Sequence, residues 1–225
     1  MQPGLRTVQG VLQELLLEIT REPIVLEFAG RTDAGVHAVG QVIGFETGFR
    51  HGPEPLKRAI NSLAPADLSV ASASEAEPGF HARQSALQRW YRYTVQNGRH
   101  QHPLTERYSH YFPQPLDVEA MNAAGQQLLG THDFIAFGDV PGDRPSSVRR
   151  LDEIQTRREG DTVTIDLKAS AFLKHMARSM AGLLLRAGTG SVAPADVRRV
   201  LDEKDRHAAG PVAPAKGLCL MGVTY

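Results

Sequence analysis

Gly30-Arg31-Thr32-Asp33-Ala34-Gly35-Val36-His37-Ala38-Val39-Gly40-Gln41-Val42 lies between two apolar runs. Ile24 to Ala29 before it is rich in Val, Leu, Ile and Phe and reads as a strand, and Gln41 to Phe45 after it reads as a second. Gly30, Gly35 and Gly40 punctuate the link, residues that accept backbone angles and close approaches other side chains resist. The spacing predicts a short loop that holds Asp33 away from the sheet. In a bent segment Arg31, two residues away, comes within reach of that carboxylate, and a bidentate guanidinium would keep the acid ionised and aimed. An aimed carboxylate is a nucleophile or a base. On pattern alone the same residues also fit an ordinary hairpin turn, with Arg31 in a surface ion pair of small worth.

Working outward, Val8, Val11, Leu12, Leu15, Leu16 and Ile19 recur at three- and four-residue steps and predict a helix with one buried stripe. Pro53-Glu54-Pro55 opens a helix through Ile60, and Leu68 to Ala73 reads as a short strand. Arg89 to Val95 alternates, with Arg89, Tyr91, Tyr93 and Val95 on one face and Trp90, Arg92 and Thr94 on the other. Neither face is purely apolar. Interleaved arginines and aromatics suit stacking on bases and pairing with phosphates at once, and an amphipathic strand with half-buried tyrosines fits the pattern equally.

The second part repeats this order. Asp117 caps a helix running to Leu129 and closed by Gly130. Leu151 to Gln155 is a strand, and after the Gly160-Asp161 turn Val163, Ile165, Leu167 and Ala169 mark another. Met176, Met180, Leu183, Leu184 and Ala187 form a helical stripe ended near Gly188; a short helix around Val197 to Leu201 follows, and Gly217 to Tyr225 closes the chain as a strand. The expected class is α+β, with two related halves. Residues 1–100 carry the Asp33 loop and the Arg89 to Val95 strand, residues 101–225 form the second half, and mixed, mainly antiparallel strands join in a sheet flanked by helices.

The 225 residues suffice for a sizeable core, as one large domain or two halves. A chain 41% apolar and 22% charged is globular rather than disordered. Its 25 cations balance 25 anions, so no global basic field advertises a polyanion partner. The cations are lopsided, with 20 Arg to 5 Lys. Arginine forks match phosphates and stack on bases, although codon bias in a GC-rich genome gives the same excess. Locally, residues 83–110 hold Arg83, Arg89, Arg92, Arg99 and Arg107 against Glu106 alone, a net of +4 with histidines uncharged. The single Cys219 excludes an internal disulfide and, in the run Leu218-Cys219-Leu220-Met221, reads as a small core residue. His100 with His102, and His132 with Asp133, lack further ligands at zinc-like spacing and read as loop or phosphate-contacting histidines, so no metal is expected. With no long apolar segment and no signal-peptide pattern, no membrane partner and a cytoplasmic location are expected.

The string from Gly30 to Ala38, followed by Gly40-Gln41-Val42, resembles the active-site segment of the tRNA pseudouridine synthase A family. Phe80-His81-Ala82-Arg83 is similar to that family's tRNA-contacting segment, and Arg89-Trp90-Tyr91-Arg92-Tyr93 to its active-site strand. Gly130-Thr131-His132-Asp133-Phe134, Ser147-Val148-Arg149, Phe172-Leu173-Lys174-His175-Met176-Ala177-Arg178 and the tail from Ala213-Pro214-Ala215 to Gly217-Leu218 follow in the family's order. The resemblance therefore spans nearly the whole chain. Ser179 departs from it, where the family commonly has Asn. The family also opens with a strand carrying a Tyr-Asp-Gly-like motif, whereas this chain starts at Gln2-Pro3-Gly4, just past it. The first strand is accordingly expected to be absent and a sheet edge exposed.

The resemblance implies the pseudouridine synthase fold and a cofactor-free isomerisation of uridine to pseudouridine in the anticodon stem-loop, at positions 38, 39 and 40 of tRNA. It implies Asp33 as the nucleophile, attacking sugar C1′ or uracil C6 once the nucleotide is flipped out of its stack. Tyr91 would stack on that base, and Arg31, Arg83 and Arg149 would hold phosphates or fill the vacated space. Phe80, His81 and Arg178 complete the implied RNA contacts, and a homodimer is implied, with tRNA lying across both subunits. Two other readings remain. A glycosidase needs a second carboxylate across the scissile bond, and the loop offers only Asp33, with Glu27 and Glu46 in the flanking strands. An RNA-binding module impaired by N-terminal truncation must explain why Arg31, Asp33 and Tyr91 are intact.

Overall fold

A computed structural model describes residues 5–140 and 146–225. The start at Gln2-Pro3-Gly4, on which the expected loss of a first strand turns, lies outside the described residues. The Thr7 hydroxyl accepts from Gly10 N and so starts α1 (Val8–Thr20), satisfying one of the donors a helix start leaves orphaned. Leu12, Leu15 and Leu16 are buried and Val11 and Ile19 half-buried, but Val8 is exposed, so the stripe is one turn shorter than the periodicity suggests.

The strands around the loop are much shorter than the apolar runs. β1 (Glu27–Phe28) is followed by β2 (His37–Ala38), inside the loop itself, and by β3 (Ile43–Gly44). β1 and β3 pair antiparallel as a two-stranded ribbon, separate from the main sheet. α2 (Pro53–Leu63) begins on a proline, as read. The strand expected over residues 68–73 does not form. Asn61 brackets Val70 there, its Nδ2 donating to Val70 O (2.9 Å) and its Oδ1 accepting from Val70 N (2.7 Å), so one side chain does what a neighbouring strand would do.

Two compact units emerge: Met1–Gly30 with Val42–Ser85, and Arg31–Gln41 with Ala86–Tyr225. In the first, α1, α2 and the ribbon close over Leu16, Ile24, Leu26, Leu56 and Ile60. Each such side chain contributes about 2 kcal/mol by leaving water.

The second unit holds β4 (Gln88–Gln96), β5 (His110–Tyr111), α3 (Val118–Gln126), β6 (Gly130–Asp133), β7 (Val148–Glu159), β8 (Thr162–Ala169), α4 (Met176–Gly188), α5 (Pro194–Glu203), α6 (Arg206–Ala209) and β9 (Leu218–Thr224). Asp117 caps α3, as expected, its carboxylate accepting from Glu119 N and Ala120 N. The sheet runs β2-β9-β4-β8-β7-β6, with β5 alongside β4. Only β2 on β9 and β5 on β4 are parallel, so the sheet is mixed and mainly antiparallel, and helices flank it. The fold is α+β, as expected.

On β4 the burial alternates strictly, and the face with Arg89, Tyr91, Tyr93 and Val95 is the core face. Arg89 can sit there because its guanidinium donates to the carbonyls of Ala86 (2.9 Å) and Ser170 (2.7 Å). α4 is buried nearly all round, with Arg178 and Arg186 its two half-buried exceptions. Among the described residues no helix is long and apolar enough to cross a membrane.

Candidate active site

Asp33 projects from a turn closed by Val36 N donating to Asp33 O (3.1 Å), and Gly35 takes φ +80°, a region closed to most side chains. The far end of the loop is stitched to β9. His37 and Ala38 run parallel to Cys219 and Leu220, and the N–H groups of Val39 and Gly40 both donate to Leu220 O (2.9 and 3.2 Å). A Cβ on Gly40 would stand 2.3 Å from Met221 O, so only glycine allows this approach. His37 Nε2 donates to Arg107 O (2.8 Å), since a carbonyl can only accept, and this ties the loop to the turn Pro103–Tyr108.

The partner of the Asp33 carboxylate is Arg178 of α4, whose Nη1 donates to Oδ2 at 2.8 Å while its Nε donates to Ala213 O at 2.8 Å. Arg31 does not fill that place: it is exposed, and the ion partners of Asp33 among the described residues are Arg178 and His175. The physical reason is anchorage. Arg178 grows from a buried helix and is fixed at a second nitrogen, whereas Arg31 rides on the loop it would have to brace. With side chains 17% and 26% exposed, the Arg178–Asp33 pair is shielded enough to be strong and open enough to reach a substrate. Arg178, expected to contact RNA, has its guanidinium on Asp33 and on the Ala213 carbonyl in this structure.

His175 precedes α4 with φ 68° and ψ −9°, a left-handed conformation uncommon for a non-glycine residue. Its Nε2 lies 3.5 Å from Asp33 Oδ2 and its Nδ1 3.4 Å from Asp139 Oδ2. Asp139 is ion-paired with Arg206, which holds its carboxyl below the usual carboxylate range against the opposing effect of burial. The position of Asp139 is fixed by its N–H, which donates to Lys174 O (3.1 Å).

Tyr91, 7% exposed, packs edge-on to Phe172 with ring centroids 5.0 Å apart. Burial pushes its phenol up to about 12; nearby Arg89 works against this, and the charges of Asp33 and Cys219 work with it. It therefore stays an O–H at neutral pH. Cys219 is half-buried rather than a full core residue, and burial pushes its thiol up too, which disfavours the nucleophilic thiolate.

The remaining expected contacts are each anchored locally. Arg149 turns its Nη1 onto the carbonyls of Ser146 (2.9 Å) and Val148 (2.6 Å). In the first unit Phe80, His81 and Arg83 form a tight turn in which His81 Nδ1 accepts from Arg83 N (3.1 Å) and Ser85 N donates to His81 O (2.9 Å). That use of the ring's lone pair makes Glu27 Oε2, 3.3 Å from Nδ1, a close polar neighbour rather than a charge partner. His132 Nε2 donates to Leu129 O (2.7 Å), and Asp133 is held by Lys204 (2.7 Å), Ser147 and Ile135 N, so this pair braces its own strand end. Among the described residues no cluster of His, Cys, Asp or Glu could hold a metal ion.

Comparison with known proteins places the chain in a family over most of its length. The family model described as tRNA pseudouridine synthase matches residues 124–225. The tRNA pseudouridine synthase A of Methylobacterium nodulans is 43% identical over 98% of this chain and 87% of its own. That of Bacillus subtilis is 40% identical over 100% of this chain and 92% of its own. The chain belongs to the tRNA pseudouridine synthase A family. A further member, from a Roseiflexus strain, is 44% identical over 98% of this chain. Membership rests on nearly the whole chain, the first unit included. His175 stands within the family-like stretch from Phe172 to Arg178, yet its place beside the loop carboxylate was not visible there. Asp139 and Arg206 carried no sequence signal, because only the fold brings residues 33, 139, 175 and 206 together.

Proposed function

We propose that this chain isomerises uridine to pseudouridine in the anticodon stem-loop of tRNA, at positions 38, 39 and 40, with Asp33 as the nucleophile. The observation that carries the reading is the half-buried Asp33–Arg178 pair, a carboxylate gripped at one oxygen, with the buried Tyr91 close enough to feel its charge. The names borne by relatives that match nearly end to end supply the substrate. The target nucleotide is extruded, and its base stacks on Tyr91. Attack by Asp33 at sugar C1′ displaces N1 directly, or its addition at uracil C6 labilises the bond between N1 and C1′; the freed base turns and joins the sugar through C5, the bond to Asp33 breaks and restores the carboxylate, N1 takes up a proton, and the C5 proton leaves to solvent. Arg31 and Arg149 take phosphates, and Phe80, His81 and Arg83 add RNA contacts. In this reading residues 1–100 bring the catalytic loop and strand, and residues 101–225 bring the anchor of Asp33 and the rest of the RNA-binding surface. No cofactor is required. The enzyme works in the cytoplasm as a homodimer with tRNA across both subunits.

A glycosidase is disfavoured because Asp139 lies beyond His175 and is tied to Arg206 rather than set across from Asp33. An impaired RNA-binding module finds no support in relatives that match nearly end to end. Release of tritium from tRNA carrying 5-tritiated uridine tests the proposal. Wild type should release it, and Asp33→Asn should lose release while binding tRNA as before; a variant that still turned over would remove Asp33 from its role.

A further inference from the structure

The geometry points to His175 as a positioning residue that, together with Arg178, holds Asp33 by Oδ2 alone and so leaves Oδ1 as the oxygen turned to the substrate. This rests on the reading of Asp33 as the nucleophile. Both contacts to the carboxylate fall on the same atom: Arg178 Nη1 at 2.8 Å and His175 Nε2 at 3.5 Å reach Oδ2. Among the described residues the side-chain hydrogen bond to this carboxylate goes to Oδ2, and none goes to Oδ1. A carboxylate held by a single donor still swings about that contact. A second group on the same oxygen, one helical turn away at the start of the same helix, restricts that swing and favours one angle for the other oxygen.

The imidazole is itself braced. Its Nδ1 faces Asp139 Oδ2 at 3.4 Å, Asp139 is ion-paired with Arg206 of α6, and the Asp139 N–H donates to the carbonyl of Lys174, the residue just before His175. A row of four side chains thus runs from Arg206 to Asp33, drawn from α6, the segment after the turn Ile135–Phe137, the start of α4 and the loop. The backbone of His175 reinforces the case. At φ 68° a histidine is strained where a glycine would be at ease, and such strain persists where the side chain is needed in one place. The side chain is 26% exposed, so it is not there to fill the core.

That conformation also gives a clean test. His175→Gly removes the ring at a position where glycine relaxes the backbone, so the variant should fold with a Tm equal to or above that of wild type. Its affinity for tRNA should stay within about twofold. Its single-turnover rate, followed by tritium release from 5-tritiated tRNA, should fall about 10- to 100-fold, the scale of loss when a reacting group is misplaced. Added imidazole, or His175→Gln, which returns an N–H donor toward Oδ2, should recover at least about threefold of that loss. Three outcomes overturn the inference: His175→Gly turning over like wild type, a loss that neither imidazole nor glutamine recovers, or a rate loss matched by lost tRNA affinity. A wild-type protein that releases no tritium would instead overturn the synthase reading itself.

Discussion

At the scale of single residues the site is governed by which atoms of a carboxylate are occupied and by what. Asp33 and Asp133 show two uses of the same group. Asp33 accepts its side-chain hydrogen bond at one oxygen, from Arg178, whereas Asp133 is saturated by Lys204, the Ser147 hydroxyl and Ile135 N. Those donors, Lys204 first and Ser147 next, hold the Asp133 carboxyl below the usual carboxylate range, with burial opposing them. A carboxyl depressed in the folded state stabilises the protein above its unfolded value, near pH 4, and that contribution disappears as pH falls through the folded value. Asp133→Asn should therefore cost about 1 kcal/mol at pH 7. Melting curves from pH 7 down to 3 should show the wild type losing Tm more steeply than the variant, with the two converging in acid. Parallel curves would mean that Asp133 does not carry this dependence.

At the scale of elements the Asp33 loop depends on β9 more than on its own flanking strands. β1 and β3 contribute two residues each, and the loop's far end is fixed by β2 lying along β9 and by Gly40 resting on the Met221 carbonyl. Gly40→Ala forces that backbone contact apart and should destabilise the protein by about 1–3 kcal/mol, lowering turnover more than tRNA affinity; thermal melts and tritium release measure both. If the variant matched wild type in each, the stitch would not be what positions Asp33. The sequence made the reactive half of this arrangement legible. The glycine spacing marked the loop, and Gly35 and Gly40 do have the two properties glycine was expected to supply, a positive φ and a close approach. The brace was not legible, because Arg178 lies 145 residues from Asp33 and no local pattern reports a contact at that separation. The lengths of β1 and β3 misled for a related reason. Ile24 and Leu26 are apolar because they fill the core around Leu16, not because they are paired in a sheet. At residues 68–73 a side-chain amide took over backbone hydrogen bonding, a substitution hydrophobic pattern cannot register.

At the scale of the whole molecule, the two units have cores of very different size. The first buries a small cluster around Leu16 and Ile60, and the second an extended core between the sheet and α3, α4 and α5. Stability follows buried apolar area, so opening should be graded. Hydrogen exchange should find amides of β8 and α4 protected longest and those of α1 and α2 released earlier; uniform protection across both units would show that they open as one. The Asp33 loop, although its sequence neighbours belong to the first unit, is part of the second and should keep its protection with β9.

The parallel pairing of His37 with Cys219 also has a consequence for the order in which the enzyme is made. A ribosome builds the loop well before the strand it pairs with, so Asp33 emerges before β9 exists to hold Gly40. The carboxylate, its arginine and the strand come together only once β9 has left the exit tunnel. Until β9 is made, a nascent chain therefore carries the Asp33 segment without the strand that fixes its far end.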